Sequence, residues 1–432
     1  MKIAIAGYGA EGKSNYAYFA GKGDQVVIVD EREIEDAPID ASVITGEGAF
    51  ERLEGYDMVV RTAGLAPRKI KTDGKVWSAT NEFFAKCSAT IIGVTGSKGK
   101  GTTSSLIASI LREAGQTVHL LGNIGVPALD VLESIQPEDI VVYELSSFQL
   151  WDLEKSPAVA VVLMIEPDHL DVHTDFAEYI AAKANIRKYQ TAEDICFYHP
   201  TNEFSRQIAM TNNFPNAHRY NDSTDEESVY VDGLDFVQDD CIICPTEALQ
   251  LPGRHNLDNA CAAISAAMSG FGVHQGEVER GLRAFQGLNH RLKFVRDVDG
   301  VKYYDDSIAT TPGSAIAAMK AFSEPKILIM GGSSKGADFS SVAQTAMTQD
   351  VKTVIVIGAE APAIEAAFKR ESDAIPIINL GSEVSMIQIV ATARQHSSTG
   401  DVVVLSPACA SFGMFKNYSD RGDQFISAVN DL

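Results

Sequence analysis

The sequence is short of positive charge, of cysteine and of any apolar run long enough to cross a bilayer. Lysine and arginine number 36 against 58 acidic residues, a net charge of −22. So acidic a chain is a poor non-specific ligand for nucleic acid or an anionic membrane, and neither is expected as a partner. Anionic small molecules are not excluded, because glycine loops, helix N-termini and divalent metals capture phosphates locally. Apolar runs such as AVAVVLMI (158–165) fall well short of the ~20 residues a membrane helix needs. The chain opens on MKIAIAGYGAEG, a strand-and-glycine pattern without a cleavable leader, so a cytoplasmic location is expected. Only six cysteines occur, and the C-x-x-C of Cys241 and Cys244 has no second pair to complete a zinc site. They are expected to be buried or half-buried reduced thiols with no chemistry. No short repeat and no low-complexity tract is visible.

What is present is an alternation of apolar β-like runs with helical stretches, the pattern of α/β folds with parallel sheets. At 432 residues, two or three domains are expected. KIAIAG, QVVIVD and YDMVVRT form one series, read as a unit of three strands. TIIGVTG, DIVVYELS and AVAVVLMI form a second; KILIMGG, TVIVIG and DVVVLS form a third. Consecutive apolar residues in several of them suit strands covered on both faces. The boundaries are drawn at 1–87, 88–286 and 287–432, with the acidic, turn-rich 220–240 as a small hairpin excursion.

GYGAEG sets Gly7, Gly9 and Gly12 in G-x-G-x-x-G spacing after a strand, with Asp30 ending the next one. That spacing fits a dinucleotide site, a nucleotide-sugar site or a plain tight turn, so an NAD-dependent oxidoreductase stays open. A second loop, GVTGSKGKGTT, lacks two residues of the Walker pattern: Val94 replaces the first glycine and Gly101 the final hydroxyl residue. It still follows a strand and opens an apolar helix, and Lys100 after Gly99 is placed to face phosphates. Glu144 ends the next strand, where a metal-binding acid of a nucleotide site belongs. Asp168, His169, Asp171 and His173 form a polar burst beyond the strand after it, at the end of the sheet where ligands bind.

In chain order GSKGKGT, LGNIG, ELSSFQL, DHLDVH, AAKANI, GRHNLDNACAA, GLNHR, DSIATTPGS, GGSSKGADF and SPACASFGMFKNYSDRGDQF resemble the Mur ligase family over essentially the whole chain. The resemblance implies an α/β protein of three domains: Rossmann-like, central P-loop ATPase-type with a mostly parallel sheet, and Rossmann-like. It implies an ATP-dependent amide ligase, in which a substrate carboxylate takes the γ-phosphate and the amine of glutamate attacks the acyl phosphate. The branch resembled adds glutamate, in its D form, to UDP-N-acetylmuramoyl-L-alanine, and works as a monomer on small molecules. Cofactors implied are ATP and two magnesium ions, with manganese as a substitute.

On the ATP side the resemblance implies Gly96, Ser97, Lys98, Gly99, Lys100, Gly101 and Thr102 in the loop, with Asn256, Asn259, Arg291 and Asp306. Lys100 would clamp phosphates, Thr102 (or Thr103) and Glu144 would hold the first magnesium, and His169 the second. Lys183 matches a carbamylated lysine near that ion; from its residues alone it reads as an exposed helical lysine. Gly9, Ala10, Glu11, Asp30, Thr62 and Gly64 would meet the UDP moiety, with Asn123, Ser146 and Gln149 toward the sugar and peptide. Thr310, Lys335, Ser411, Phe412 and Tyr418 would form the glutamate pocket, and His290 stands with Arg291 at a hinge that would complete the site on domain closure. Three departures stand out. Ile308 replaces the lysine of DSKATN, Gly413 replaces a frequent acid, and GKGT is similar to the loop of folylpolyglutamate synthetase. A folate ligase and a non-ligating P-loop ATPase therefore remain as rivals.

Overall fold

The computed structural model describes residues 1–122, 126–333 and 336–432. Strands β1 (Lys2–Ala6), β2 (Gln25–Asp30), β3 (Ser42–Thr45), β4 (Met58–Arg61) and β5 (Lys75–Ser78) form a parallel sheet ordered β3-β2-β1-β4-β5. Helices α1 (Ala10–Gly21) and α2 (Ala79–Lys86) accompany it. The unit read as three strands thus has five. The two that the pattern missed lie at the sheet's edges, and SVIT of β3 is exposed throughout, so no apolar run marks it. In β1 the alternation works at the core: Ile3 and Ile5 enter one apolar cluster, Ala4 and Ala6 the cluster on the other face. Each isoleucine so buried contributes about 1.5–3 kcal/mol.

A second parallel sheet, ordered β11-β10-β9-β6-β8-β7, carries the loop. Its elements are β6 (Thr90–Thr95), α3 (Lys100–Glu113), β7 (Val118–Gly122), α4 (Ala128–Val131), β8 (Ile140–Glu144), α5 (Ser147–Leu150), β9 (Val159–Val162), α6 (Phe176–Lys188), β10 (Ile195–Tyr198), α7 (Glu203–Ala209) and β11 (Ala217–Arg219). The 220–240 excursion becomes an antiparallel meander of β12 (Tyr230–Asp232), β13 (Asp235–Gln238) and β14 (Cys241–Pro245). Cys244 is buried there but Cys241 is exposed, against expectation, because exposure follows position along β14, whose first two residues are exposed and next two buried; all six cysteines are free. Helices α8 (His255–Phe271) and α9 (Gln275–Ala284) follow.

The last sheet, ordered β15-β16-β20-β17-β18-β19, is parallel except for the β15–β16 hairpin. It comprises β15 (Lys293–Val298), β16 (Val301–Asp305), α10 (Pro312–Lys320), β17 (Lys326–Gly331), α11 (Ser340–Ala346), β18 (Val351–Ile357), α12 (Ala361–Glu371), β19 (Ile377–Gly381), α13 (Met386–Gln395), β20 (Val402–Leu405) and α14 (Tyr418–Asn430). In β17, Ile327 and Ile329 enter one cluster while Leu328 and Met330 enter the other, as a strand covered on both faces requires. The chain divides into two compact units, Met1–Leu249 with Leu257–Phe285, and Gln250–Asn256 with Gln286–Leu432. The protein is therefore α/β with mostly parallel sheets. Among the described residues no helix is long and apolar enough to cross a membrane.

Candidate active site

The loop Gly96–Gly99 joins β6 to α3 at the carboxyl end of the central sheet. Gly99 caps α3 with φ 86°, and a Cβ there would lie 2.5 Å from Asn259 Oδ1. Only glycine fits both the left-handed backbone and that close approach. Ser97 is locked in place: its hydroxyl donates to Glu166 O (2.8 Å) and lies 2.8 Å from the Tyr179 hydroxyl. Thr103 is buried with its hydroxyl toward Asn259 (3.4 Å), and Thr102 precedes it in the first turn of α3. Lys98 is exposed and pairs with Glu166. Gly101 is buried in the same turn.

Two lysines converge on one loop carbonyl. Lys100 Nζ donates to Gly96 O (3.0 Å) and Ser97 O (3.1 Å), and Lys183 Nζ to Gly96 O (3.0 Å) and Thr95 Oγ1 (3.2 Å). Lys183 is not the exposed helical lysine its residues alone suggest: it is 1% exposed, because α6 turns that face onto β6. Burial pushes its pKa well below the ordinary lysine value, and the Lys100 charge lowers it further. Tyr179, one turn earlier, lays its ring 4.7 Å from Lys183 Nζ and reaches Ser97. Sequence reasoning missed Tyr179, although its i, i+4 spacing to Lys183 puts both on one helix face.

Glu144 ends β8, paired in register with Val94 just before the loop, and is buried. Beyond β9, His169 adopts φ 54° and stays exposed, its ring 4.8 Å from that of Phe148. Asp168 Oδ1 accepts the His169 backbone N–H (3.0 Å). His173 behaves differently: buried among Phe148, Trp151 and Tyr179, it meets Ser147 Oγ at 2.9 Å, and burial lowers its pKa. Ser146 and Gln149 form a capping box on α5, which fixes the turn after Glu144. Asn123 lies outside the described residues.

No cluster of three or more His, Cys, Asp or Glu side chains suited to a metal occurs among the described residues. Magnesium requires less from the protein, one or two carboxylates with phosphate oxygens completing the shell. Thr102 and Glu144 flank the loop as hard oxygen donors of that kind. An ammonium repels a cation, whereas a carbamate on Lys183 would bring the negative charge that attracts one.

In the first sheet, Gly9 caps α1 with open space at its Cα, and Gly64 is likewise open. Gly12 is a packing glycine, since a Cβ there would sit 2.0 Å from Gly7 O. Asp30 Oδ2 accepts Tyr8 N–H (2.9 Å), Glu11 Oε2 accepts Ala63 N–H (2.7 Å), and Thr62 Oγ1 donates to Ala6 O (3.3 Å). Burial raises the Glu11 pKa. Ala10 opens α1 beside them.

The second unit gathers its own group at the carboxyl ends of the neighbouring strands β16 and β20. Asp306 is buried, accepting Ser406 Oγ (2.8 Å) and Leu292 N–H (3.2 Å). Burial raises its pKa to about 7, and the Arg291 charge only partly opposes this. His290, at φ 62°, meets Asp305 Oδ2 at 2.7 Å, while its carbonyl accepts Ile308 N–H. Arg421, fully buried, donates to Ser307 Oγ and O and to Cys409 O, tying the two loops together. Asp305 and Arg421 were not singled out from the sequence. Tyr418 lies 6.1 Å from the His290 ring, and its carbonyl accepts Ser307 Oγ. Ser411 is buried, Phe412 is 63% exposed, and Thr310 follows in the Ile308 loop. Asn256 donates to Pro252 O (2.7 Å) in this unit, whereas Asn259 belongs to the first. Lys335 lies outside the described residues.

The sequence matches the Mur ligase middle domain over residues 94–267 and the Mur ligase, glutamate ligase domain over 290–409. It is 35% identical to a UDP-N-acetylmuramoylalanine--D-glutamate ligase of Clostridium kluyveri, covering 100% of this chain and 97% of the relative. The enzyme of that name from Acetivibrio thermocellus is also 35% identical, over 100% of this chain and 96% of its own. Among solved structures, UDP-N-acetylmuramate-alanine ligase MurC from Thermotoga maritima has a TM-score of 0.63 at 16% identity, covering 100% of this chain and 99% of that one. MurF ligase from Thermotoga maritima in complex with ADP has a TM-score of 0.60 at 18% identity, over 99% and 94%. The structural likenesses speak for the fold and the full-length relatives for kinship: the chain belongs to the Mur ligase family.

Proposed function

We propose that this protein is an ATP-dependent carbon–nitrogen ligase that adds D-glutamate to UDP-N-acetylmuramoyl-L-alanine in cytoplasmic peptidoglycan precursor synthesis. The observation that carries the reading is Lys183, a buried lysine held against the phosphate loop beside Lys100. A lowered pKa enlarges the share of neutral amine, the form that adds CO2 with loss of a proton to give a carbamate. The full-length relatives carry the name of this ligase, and a structurally similar MurF was crystallised with ADP.

In this reading residues 1–87 bind the UDP moiety, 88–286 bind ATP and 287–432 bind glutamate, in a monomer. The alanyl carboxylate of the substrate attacks the γ-phosphorus, ADP leaves, and an acyl phosphate forms. The neutral amine of glutamate then attacks the acyl carbon, loses a proton, and expels inorganic phosphate as the amide forms. Lys100 leaves its loop carbonyls for the phosphate oxygens, where a fixed cation lowers the barrier. Thr102 and Glu144 hold the first magnesium, leaving Thr103 to Asn259; His169 and carbamylated Lys183 stand by the second. Bound magnesium supplies charge neutralisation of the transferring phosphoryl group. Arg291 and Asp306 take the γ-phosphate and ribose; Thr310, Lys335, Ser411, Phe412 and Tyr418 hold glutamate, with Ile308 contributing no charge there. The test is ADP release with UDP-N-acetylmuramoyl-L-alanine and ATP, with and without D-glutamate, L-glutamate or a folate. Release that needs D-glutamate is expected, and none with either glutamate isomer would sink the proposal.

A further inference from the structure

Arg61 ends β4 and is 0% exposed, although nothing in a sheet end requires a buried guanidinium. Its fork is spent on two separate segments. Toward the loop after its own strand, Nη1 donates to the carbonyls of Ala63 (3.1 Å), Leu65 (3.3 Å) and Thr62 (3.4 Å). Toward the central sheet, Nε and Nη2 donate to the two oxygens of Asp152 (2.8 and 2.6 Å), and Nη2 also to Phe148 O (2.9 Å). Both segments are braced from behind. Ala63 N–H is held by Glu11, and Asn81 accepts from Glu154 N–H and donates to Asp152 O. The Phe148 ring packs against those of His169 (4.8 Å) and His173 (5.5 Å).

A planar, permanently charged fork with bidentate geometry sets distance and angle in a way a single ammonium cannot. We infer that Arg61 is a positioning residue for the UDP-linked substrate. It fixes the loop bearing Thr62 and Gly64 at one spacing from the turn bearing Ser146, Gln149 and Phe148, so that both ends of one long ligand are met together. This rests on the proposed function for what the two segments bind. The ATP loop is not among the groups Arg61 touches, so its loss falls on one substrate and not the other.

The test is steady-state kinetics of Arg61→Lys, which keeps the charge and loses the fork, and of Asp152→Asn, which keeps the shape and weakens the pair. Asp152 is partly exposed and the change isosteric, so this variant disturbs packing less and, once a thermal melt shows it folded, decides the matter if Arg61→Lys does not fold. Expected is a rise of roughly tenfold in KM for the UDP substrate for Arg61→Lys and less for Asp152→Asn. KM for ATP and kcat at saturation should stay within about twofold. Equal losses for both substrates, or an unchanged KM for the UDP substrate in a folded variant, overturn the inference. If the parent fails to ligate glutamate to this substrate, the proposed function fails instead. Calorimetric binding of the UDP substrate to parent and variants then still reads the positioning role directly, and equal affinity would refute it.

Discussion

At the scale of single residues, the decisive groups are ionisable side chains taken out of water. Lys183 is expected to be indispensable: Lys183→Ala should lose roughly a hundredfold in ligation rate, the scale of losing a group that orients a metal site. Acetate should restore part of it by supplying the missing carboxylate, and an unchanged rate in the variant would return Lys183 to a packing role. Asp306 gives a stability prediction with a definite sign. Its pKa rises from 3.8 in the unfolded chain to about 7 in the fold. Below pH 3.8 both states are protonated and its contribution is whole; between there and about pH 7 the folded state holds the extra proton, so stability falls as pH rises. Thermal melts should therefore find the parent losing ground to Asp306→Asn up to pH 7 and no further beyond it. A difference flat with pH counts against a buried, protonated Asp306. Neither burial could be read from the sequence, where Lys183 and Asp306 are ordinary charged residues.

At the scale of elements, the strand–loop–helix units were legible because apolar runs and glycines mark them. β1, β2, β4, β6, β8, β9, β17, β18 and β20 all coincide with runs visible in the sequence. The edge strands β3 and β5 were missed, since a strand with one neighbour needs no continuous apolar face. The glycine loop between β6 and α3, proposed to cradle phosphates, carries the sharpest test at this scale. Gly99→Ala places a Cβ in the left-handed region and against Asn259 Oδ1, at a cost of about 1–3 kcal/mol in strain. Calorimetry should find ATP affinity lost together with a lower thermal midpoint; an unchanged ATP affinity would mean that the loop is not the phosphate cradle. Thr102→Ala separates the two hydroxyls of the next turn: MgATP binding should weaken, whereas ATP without metal should bind as in the parent. Equal binding of MgATP would move the metal hydroxyl elsewhere.

At the scale of the whole molecule, a net charge of −22 acts on every element at once. Self-repulsion of this size destabilises a compact chain and is screened by salt, whose Debye length shortens from about 30 Å at 0.01 M to about 10 Å at 0.1 M. The thermal midpoint should rise across that range, as scanning calorimetry would register. A falling midpoint would mean that attractive ion pairs such as Arg61–Asp152 outweigh the repulsion.

The sequence by itself determined the class of fold, the order of the three strand series, the glycine loop between strand and helix and the family, because these depend on local periodicity, glycine placement and contiguous motifs. Only the tertiary structure decided which charges lose their water. It put Lys183 against Gly96, Asp306 against Ser406, and Arg61 against Asp152, 91 residues further along the chain. Burial is a property of what packs around a side chain, and those neighbours come from distant parts of the chain.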